Sequence, residues 1–333
     1  MLSSRQKSCA TSVIQRRRIL RALLAGLFGG CAAPLVPPAA VRTEAAGSAH
    51  WRGAELEIGG GQVALQWDEG DFAAGAPVIR GWVTDAAGAV ALYFGRFPVP
   101  RVTLRIESIN GRGVGGGTTW GSPEPLIVLR LGRAATAGDL ARDWILPHEM
   151  VHLAMPELHQ RHHWLEEGLA TYVEPIARIQ AGHLPSEDMW RDLVRGLPNG
   201  LPLAGDRGLD FSHSWGRTYW GGALFLLLAE IDIRRRSNNR HGLQDGLRAV
   251  VAGGGSIARH WPIERVLEVA DAATGQTVLR DLYAEMSAKP KWVNLPKLFS
   301  ELGVSYHNTR LSFDDTAPDA AIRLAVTAAP RAA

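Results

Sequence analysis

The sequence element that most constrains this chain is His148-Glu149-Met150-Val151-His152. Two histidines four residues apart share one face of an α-helix, so both imidazoles can reach a single metal ion. Glu149 lies beside them, where its carboxylate can take a proton from water at that metal. A fold for this chain must present that helix face to a cleft. Pro147 stands directly before His148. It suits the first turn of a helix or a kink, not a regular interior.

Two histidines leave a catalytic zinc site incomplete, because such a site generally has three protein ligands and one open position. Trp164-Leu165-Glu166-Glu167-Gly168-Leu169-Ala170 follows on the next predicted helix and offers two acids, Glu166 and Glu167. H-E-x-x-H followed by W-L-x-E-G-L-A resembles the gluzincin zinc metallopeptidases of the peptidase MA clan. In that clan the glutamate before the glycine is the third ligand. The resemblance places this role at Glu167, with Glu166 as its competitor. Tyr219-Trp220-Gly221-Gly222-Ala223-Leu224 is similar to the Y-x-K-G-A-L segment of the glycyl-aminopeptidase-like gluzincins, with Gly221 where they often have Lys. Their tyrosine hydroxyl stabilises the oxyanion of the tetrahedral intermediate, which implies that role for Tyr219. The resemblance covers about residues 110–305.

One departure bears on specificity. Aminopeptidases of this clan hold the substrate's free α-amine with a glutamate on a substrate-facing strand. The stretch similar in position, Val114-Gly115-Gly116-Gly117-Thr118-Thr119-Trp120, has no acid. Its glycines offer backbone hydrogen bonds to an extended peptide.

Periodicity gives the organisation. Residues 62–67 and 102–106 alternate, and 126–131 is a continuous apolar run; these predict strands. A helix over about 77–94 interrupts them. The glycine tract 111–117 predicts a turn or a close backbone approach. Helical spacing follows near 137–155, 163–181, 186–196, 214–236, 242–252, 262–273, 276–288 and 295–303. The expected fold is α+β, a thermolysin-like two-lobed arrangement. A β-rich lobe spans 51–135 and a helical lobe 136–311, with zinc in the cleft between them and a loose tail over 312–333.

Charge qualifies the picture at the N-terminus. The chain carries a formal +3, but Arg5, Lys7, Arg16, Arg17, Arg18 and Arg21 fall in residues 1–30 with no acid among them. The remainder has 30 basic and 33 acidic residues, which removes the main support for a nucleic-acid partner. A basic region, an apolar run of 12 residues from Ala22 to Ala33, and small residues beyond it predict a signal peptide over 1–33. The run is too short for a spanning helix, which needs about 20 residues. Gln15-Arg16-Arg17-Arg18-Ile19-Leu20-Arg21 resembles a twin-arginine export pattern. Phe28-Gly29-Gly30-Cys31 resembles a lipobox, making Cys31 a candidate lipid attachment. Residues 34–50 read as an Ala/Pro-rich linker. The only cysteines are Cys9 and Cys31, so the rest of the chain has no disulfide and no Cys-based metal site.

The remaining polar clusters have plainer readings. His159, His162 and His163 read as solvated loop histidines, with a second metal site as the alternative. Asp143 could orient a ligand from behind, or be a solvated helix acid. Arg234-Arg235-Arg236 reads as a charged helix end. Trp144, Trp164 and Trp220 read as core, with a substrate-side aromatic rim as the alternative.

The expected function is a zinc-dependent peptidase of the cell envelope. One Zn²⁺ per chain would be held by His148, His152 and Glu167, with Glu149 and Tyr219 catalytic, and the partner would be a peptide or protein substrate. A non-catalytic binding or scaffolding protein on the same fold is the alternative.

Overall fold

In the computed structural model, residues 52–68 and 72–329 are described. The predicted leader, Cys31 and the linker lie outside the described residues. Among those described, no helix is long and apolar enough to cross a membrane.

A five-stranded mixed sheet forms first: β1 (Arg52–Ile58), β2 (Gly61–Trp67), β3 (Arg101–Ile109), β4 (Val114–Trp120) and β5 (Leu126–Gly132), in the order β1-β2-β3-β5-β4. β2, β3 and β5 run parallel; β1 and β4 are antiparallel edges. A parallel neighbour needs a crossover, and helix α1 (Gly75–Phe94) supplies it between β2 and β3. Register aligns the alternation seen in the sequence. Val63 pairs with Val102, and Leu65 with Leu104 and then Ile127. These side chains are fully or almost fully buried, so one apolar stripe crosses the three parallel strands.

The helices follow: α2 (Ala137–Ala141), α3 (Ile145–Val151), a 3₁₀ turn His152–Ala154, α4 (His163–Gln180), α5 (Ser186–Gly196), a π-helical turn Arg217–Gly221, α6 (Gly222–Arg236), α7 (Leu243–Ala252), α8 (Ile263–Thr274), α9 (Val278–Met286) and α10 (Leu295–Glu301). A hairpin of β6 (Val304–His307) and β7 (Arg310–Phe313) and helix α11 (Ala320–Thr327) complete the described chain. α1 packs against α3 and α4, and one hydrophobic core runs through sheet and helices.

Two expectations are corrected and one is refined. The helix expected over 137–155 is two short helices and a 3₁₀ turn. Asp143 causes the break: its two oxygens accept from the backbone N–H groups of Ile145 and Leu146, both at 3.0 Å. Pro147 then falls in the first turn of α3, where no backbone N–H is required. The helix expected over 214–236 contains the π turn, pinned by the buried Arg217, which pairs with Asp206 at 2.8 Å. The tail is not loose through 329. Arg235 bridges Glu301 and Asp319, and the buried Arg323 donates to the Leu302 carbonyl at 2.9 Å, which fastens α11 to the body.

Candidate metal centre

α3 carries His148 and Glu149 with all seven of its residues buried, and His152 opens the next 3₁₀ turn. α4 crosses beside it and brings Glu167. The ligand atoms of His148, His152 and Glu167 lie within 4.8 Å of one another. His148 Nε2 is 3.5 Å and His152 Nε2 3.6 Å from the same oxygen, Glu167 Oε2. Ligands bound at about 2.0–2.1 Å to a tetrahedral ion stand about 3.3–3.4 Å apart. Two imidazole nitrogens and one carboxylate oxygen, converging from buried or half-buried side chains, therefore fit zinc with one position open.

Glu166 points elsewhere. Its Oε1 accepts from the Leu158 backbone N–H at 3.1 Å, and its Oε2 lies 2.8 Å from His163 Nδ1. Neighbouring helix residues project about 100° apart. The rotation of α4, set by buried Trp164, Leu165 and Leu169, aims Glu167 at the histidines.

Strand β4 supplies what the sequence reading missed. Thr119 Oγ1 donates to Glu149 Oε2 at 2.7 Å. Gly117, two residues earlier, shares that strand face. A Cβ on Gly117 would fall 2.6 Å from Glu149 Cγ, so only glycine leaves room for the carboxylate. The glycine tract thus divides: Gly111 and Gly113 take positive φ in the turn, and 115–117 lie in the strand. Strand alternation was the one available signal for Thr119.

Tyr219 lies in the π turn, beside His148. Its ring is nearly parallel to His148, 6.4 Å between centroids, and to Trp215 on another side at 5.9 Å. Gly168 and Gly222 explain the proximity of the two helices. A Cβ on Gly168 would stand 2.4 Å from Gly222 Cα, so α4 and α6 cross backbone to backbone. Extra residues in π turns often mark functional positions.

Burial pushes the Glu149 carboxyl up to about 7, against the pull of His148 and the Thr119 hydroxyl. Burial also pushes His152 down to about 4, leaving the neutral imidazole that a metal requires. On Glu167 burial disfavours charge, but His152, His148 and His163 outweigh it and hold the carboxyl well below the usual range.

Other candidates fall differently. Asp143 caps α3 and lines a cavity of about 330 Å³ with Trp82, Pro147 and Arg178; its oxygens bond backbone, not a ligand. His162 is buried against Asp210 and is not a solvated loop residue; its Nδ1 lies 2.9 Å from Asp210 Oδ1. His163 is also covered, and bridges Glu166 and Glu167. His159 is exposed and caps the turn Gln160–His162. Trp164 and Trp220 are core, whereas Trp144 meets the His148 ring edge-on at 5.6 Å. Each of Arg234, Arg235 and Arg236 is paired with an acid.

No family model and no curated protein matches the sequence. Among solved structures, the chain is similar to an aminopeptidase N family protein from Idiomarina loihiensis: 14% identity, TM-score 0.57, covering 77% of this chain and 49% of that one. It also aligns with an M1 zinc metallopeptidase from Deinococcus radiodurans at 16% identity and TM-score 0.47, covering 73% of this chain and 52% of that one. The chain spans about half the length of these structures. The first likeness shows a shared fold, that of an aminopeptidase N family protein.

Proposed function

We propose that this chain is a zinc-dependent peptidase that hydrolyses peptide bonds. The carrying observation is the convergence of His148, His152 and Glu167 on one point, with the Glu149 carboxylate on the same short helix. A zinc ion there supplies Lewis-acid activation of water and of the scissile carbonyl. Glu149, held by Thr119, takes the proton of the attacking water and passes it to the leaving amine. Tyr219 offers its hydroxyl to the developing oxyanion. Glu149, held within hydrogen-bond range of Thr119 at the sheet edge, stands where an extended peptide could lie along β4.

The nearest pattern remains the glycyl-aminopeptidase-like branch, on the strength of Tyr219 and the glycines after it. The amine-binding acid of aminopeptidases has no counterpart on β4, where Thr119 instead serves Glu149. On the basis of residues 1–33, the chain is assigned to the cell envelope. Mass spectrometry of the mature N-terminus checks this; an intact leader on the mature protein would refute it.

Replacing Glu149 by Gln tests the mechanism. Zinc content is expected to stay near one per chain while peptide cleavage falls by about two to four powers of ten. Cleavage at the wild-type rate would sink the reading. A wild-type protein without zinc after gentle purification would favour the scaffolding alternative.

A further inference from the structure

We infer that His163 is a positioning residue: it holds one oxygen of Glu167 so that the other faces the metal, and Glu166 anchors His163 in turn. The inference rests on the zinc-site reading above.

The contacts form one series. Glu167 Oε2 is the oxygen shared by His148 and His152. The second oxygen, Oε1, lies 3.2 Å from His163 Nε2. The opposite ring nitrogen, Nδ1, lies 2.8 Å from Glu166 Oε2. Glu166 Oε1 accepts from the Leu158 backbone N–H at 3.1 Å. A main-chain amide, a carboxylate, an imidazole and the ligand carboxylate thus stand in line. Both imidazole nitrogens meet oxygen, so a flipped ring would put carbon at both contacts.

The residues flanking His163 are fixed as well. His162 Nδ1 and Trp164 Nε1 both donate to Asp210 Oδ1, at 2.9 and 2.8 Å. Tyr283 donates to the other Asp210 oxygen at 2.8 Å. One buried carboxylate therefore sets the start of α4, and with it the place from which the His163 ring projects. The ring is itself largely covered, with a fifth of its side chain exposed.

With Oε1 facing His163 Nε2, Oε2 is the oxygen left to face the metal. Freed of that hydrogen bond, Glu167 can rotate or spread both oxygens over the ion. Partners behind a ligand typically contribute about 10- to 100-fold in metal affinity.

The competing role is purely structural: His163 would tie Glu166 at the start of α4 and do nothing for Glu167. Two substitutions separate the roles. An asparagine amide nitrogen falls near the Nδ1 position and keeps the Glu166 contact. A glutamine amide nitrogen falls near Nε2 and keeps the Glu167 contact. The zinc dissociation constant of the full chain is measured by competition with a chromophoric chelator, and the cobalt-loaded form is read by its visible spectrum. Melting of the metal-free forms serves as the folding control.

His163→Asn is expected to weaken zinc about 10- to 100-fold and to shift the cobalt spectrum. His163→Gln is expected to stay within about threefold of wild type with an unshifted spectrum. Asparagine within about twofold of wild type, or glutamine as weak as asparagine, overturns the inference. Should His163→Asn not fold, Glu166→Ala frees the far end of the ring; it is expected to weaken zinc about three- to tenfold, and unchanged affinity overturns the inference. If wild type binds no zinc, the site reading falls and the inference falls with it. If wild type binds and the variants match it, only this inference falls.

Discussion

Thr119 Oγ1 lies 2.7 Å from Glu149 Oε2 and 3.0 Å from the carbonyl oxygen of the same residue. One hydroxyl on the sheet edge thus stands over both the proposed base and its backbone. It has a single hydrogen and donates to one acceptor at a time. Thr119→Val keeps the volume and removes the donor. A hydrogen bond to a charged group contributes about 1.5–3 kcal/mol, so kcat is expected to fall about 10- to 100-fold at equal zinc content. Thr119→Ser should remain within about threefold. Steady-state kinetics on a fluorogenic peptide checks both, and an unchanged valine variant would remove Thr119 from the mechanism.

Gly168 and Gly222 make a second prediction. An added methyl on Gly168 meets the Gly222 backbone at 2.4 Å, which neither helix can yield without moving. Overpacking of this kind costs about 1–3 kcal/mol. Gly168→Ala is expected to lower the melting temperature by about 3–10 °C and to reduce activity, because Glu167 and Tyr219 separate with the helices. Gly88 on α1 is the control: a Cβ there meets nothing within 4 Å. Gly88→Ala should hold or raise the melting temperature, since alanine is the better helix former by about 1 kcal/mol.

Tyr219→Phe keeps the ring beside His148 and Trp215 and removes the hydroxyl. If that hydroxyl meets the oxyanion, kcat falls about 100- to 1,000-fold with zinc content unchanged. A rate near wild type, with zinc bound, would assign Tyr219 to packing alone.

Asp210 predicts a pH dependence of stability. Burial raises its pKa, but hydrogen bonds from His162, Trp164 and Tyr283 outweigh this and leave it lowered from 3.8. A group with a lowered folded pKa stabilises above its unfolded value and loses that contribution as pH falls through the folded value. Melting temperature measured from pH 6 to 3 should therefore decline in wild type with a component absent from Asp210→Asn. The asparagine variant should be about 2–3 kcal/mol less stable at pH 6, because one acceptor oxygen cannot serve three donors. Parallel acid limbs in the two proteins would show that Asp210 does not contribute to them.

Much of the candidate site was legible because its spacing is local. His148 and His152 are one helical turn apart, and a turn of helix sets their common face whatever surrounds it. The strands at 62–67 and 102–106 were legible for the same reason, since alternation marks a strand with one covered face, and 126–131 was legible as a short continuous apolar run. Helix ends were harder. The break at Asp143 depends on a side chain capturing two backbone N–H groups, and periodicity carries no sign of it. The tail was misjudged because Ala-rich composition does not reveal that Arg235 and Arg323 fasten it to α6 and α10.

The contacts that finish the site are of another kind. Thr119 and Glu149 are 30 residues apart in sequence, and Trp164 and Asp210 are 46. No local period links such pairs. The first pair meets because β4 lies against α3, and the second because the segment carrying Asp210 is held by backbone hydrogen bonds from Leu209 to Met286 and from Asp210 to Ser287. The choice between Glu166 and Glu167 is similar. Adjacent residues on one helix differ by about 100° in direction, and packing of the apolar face decides which one turns to the histidines. Backbone periodicity was enough to name the candidate metal-facing histidines and the proposed base. Long-range packing decided which acid faces the histidines, and brought His163 and Thr119 to the oxygens of Glu167 and Glu149.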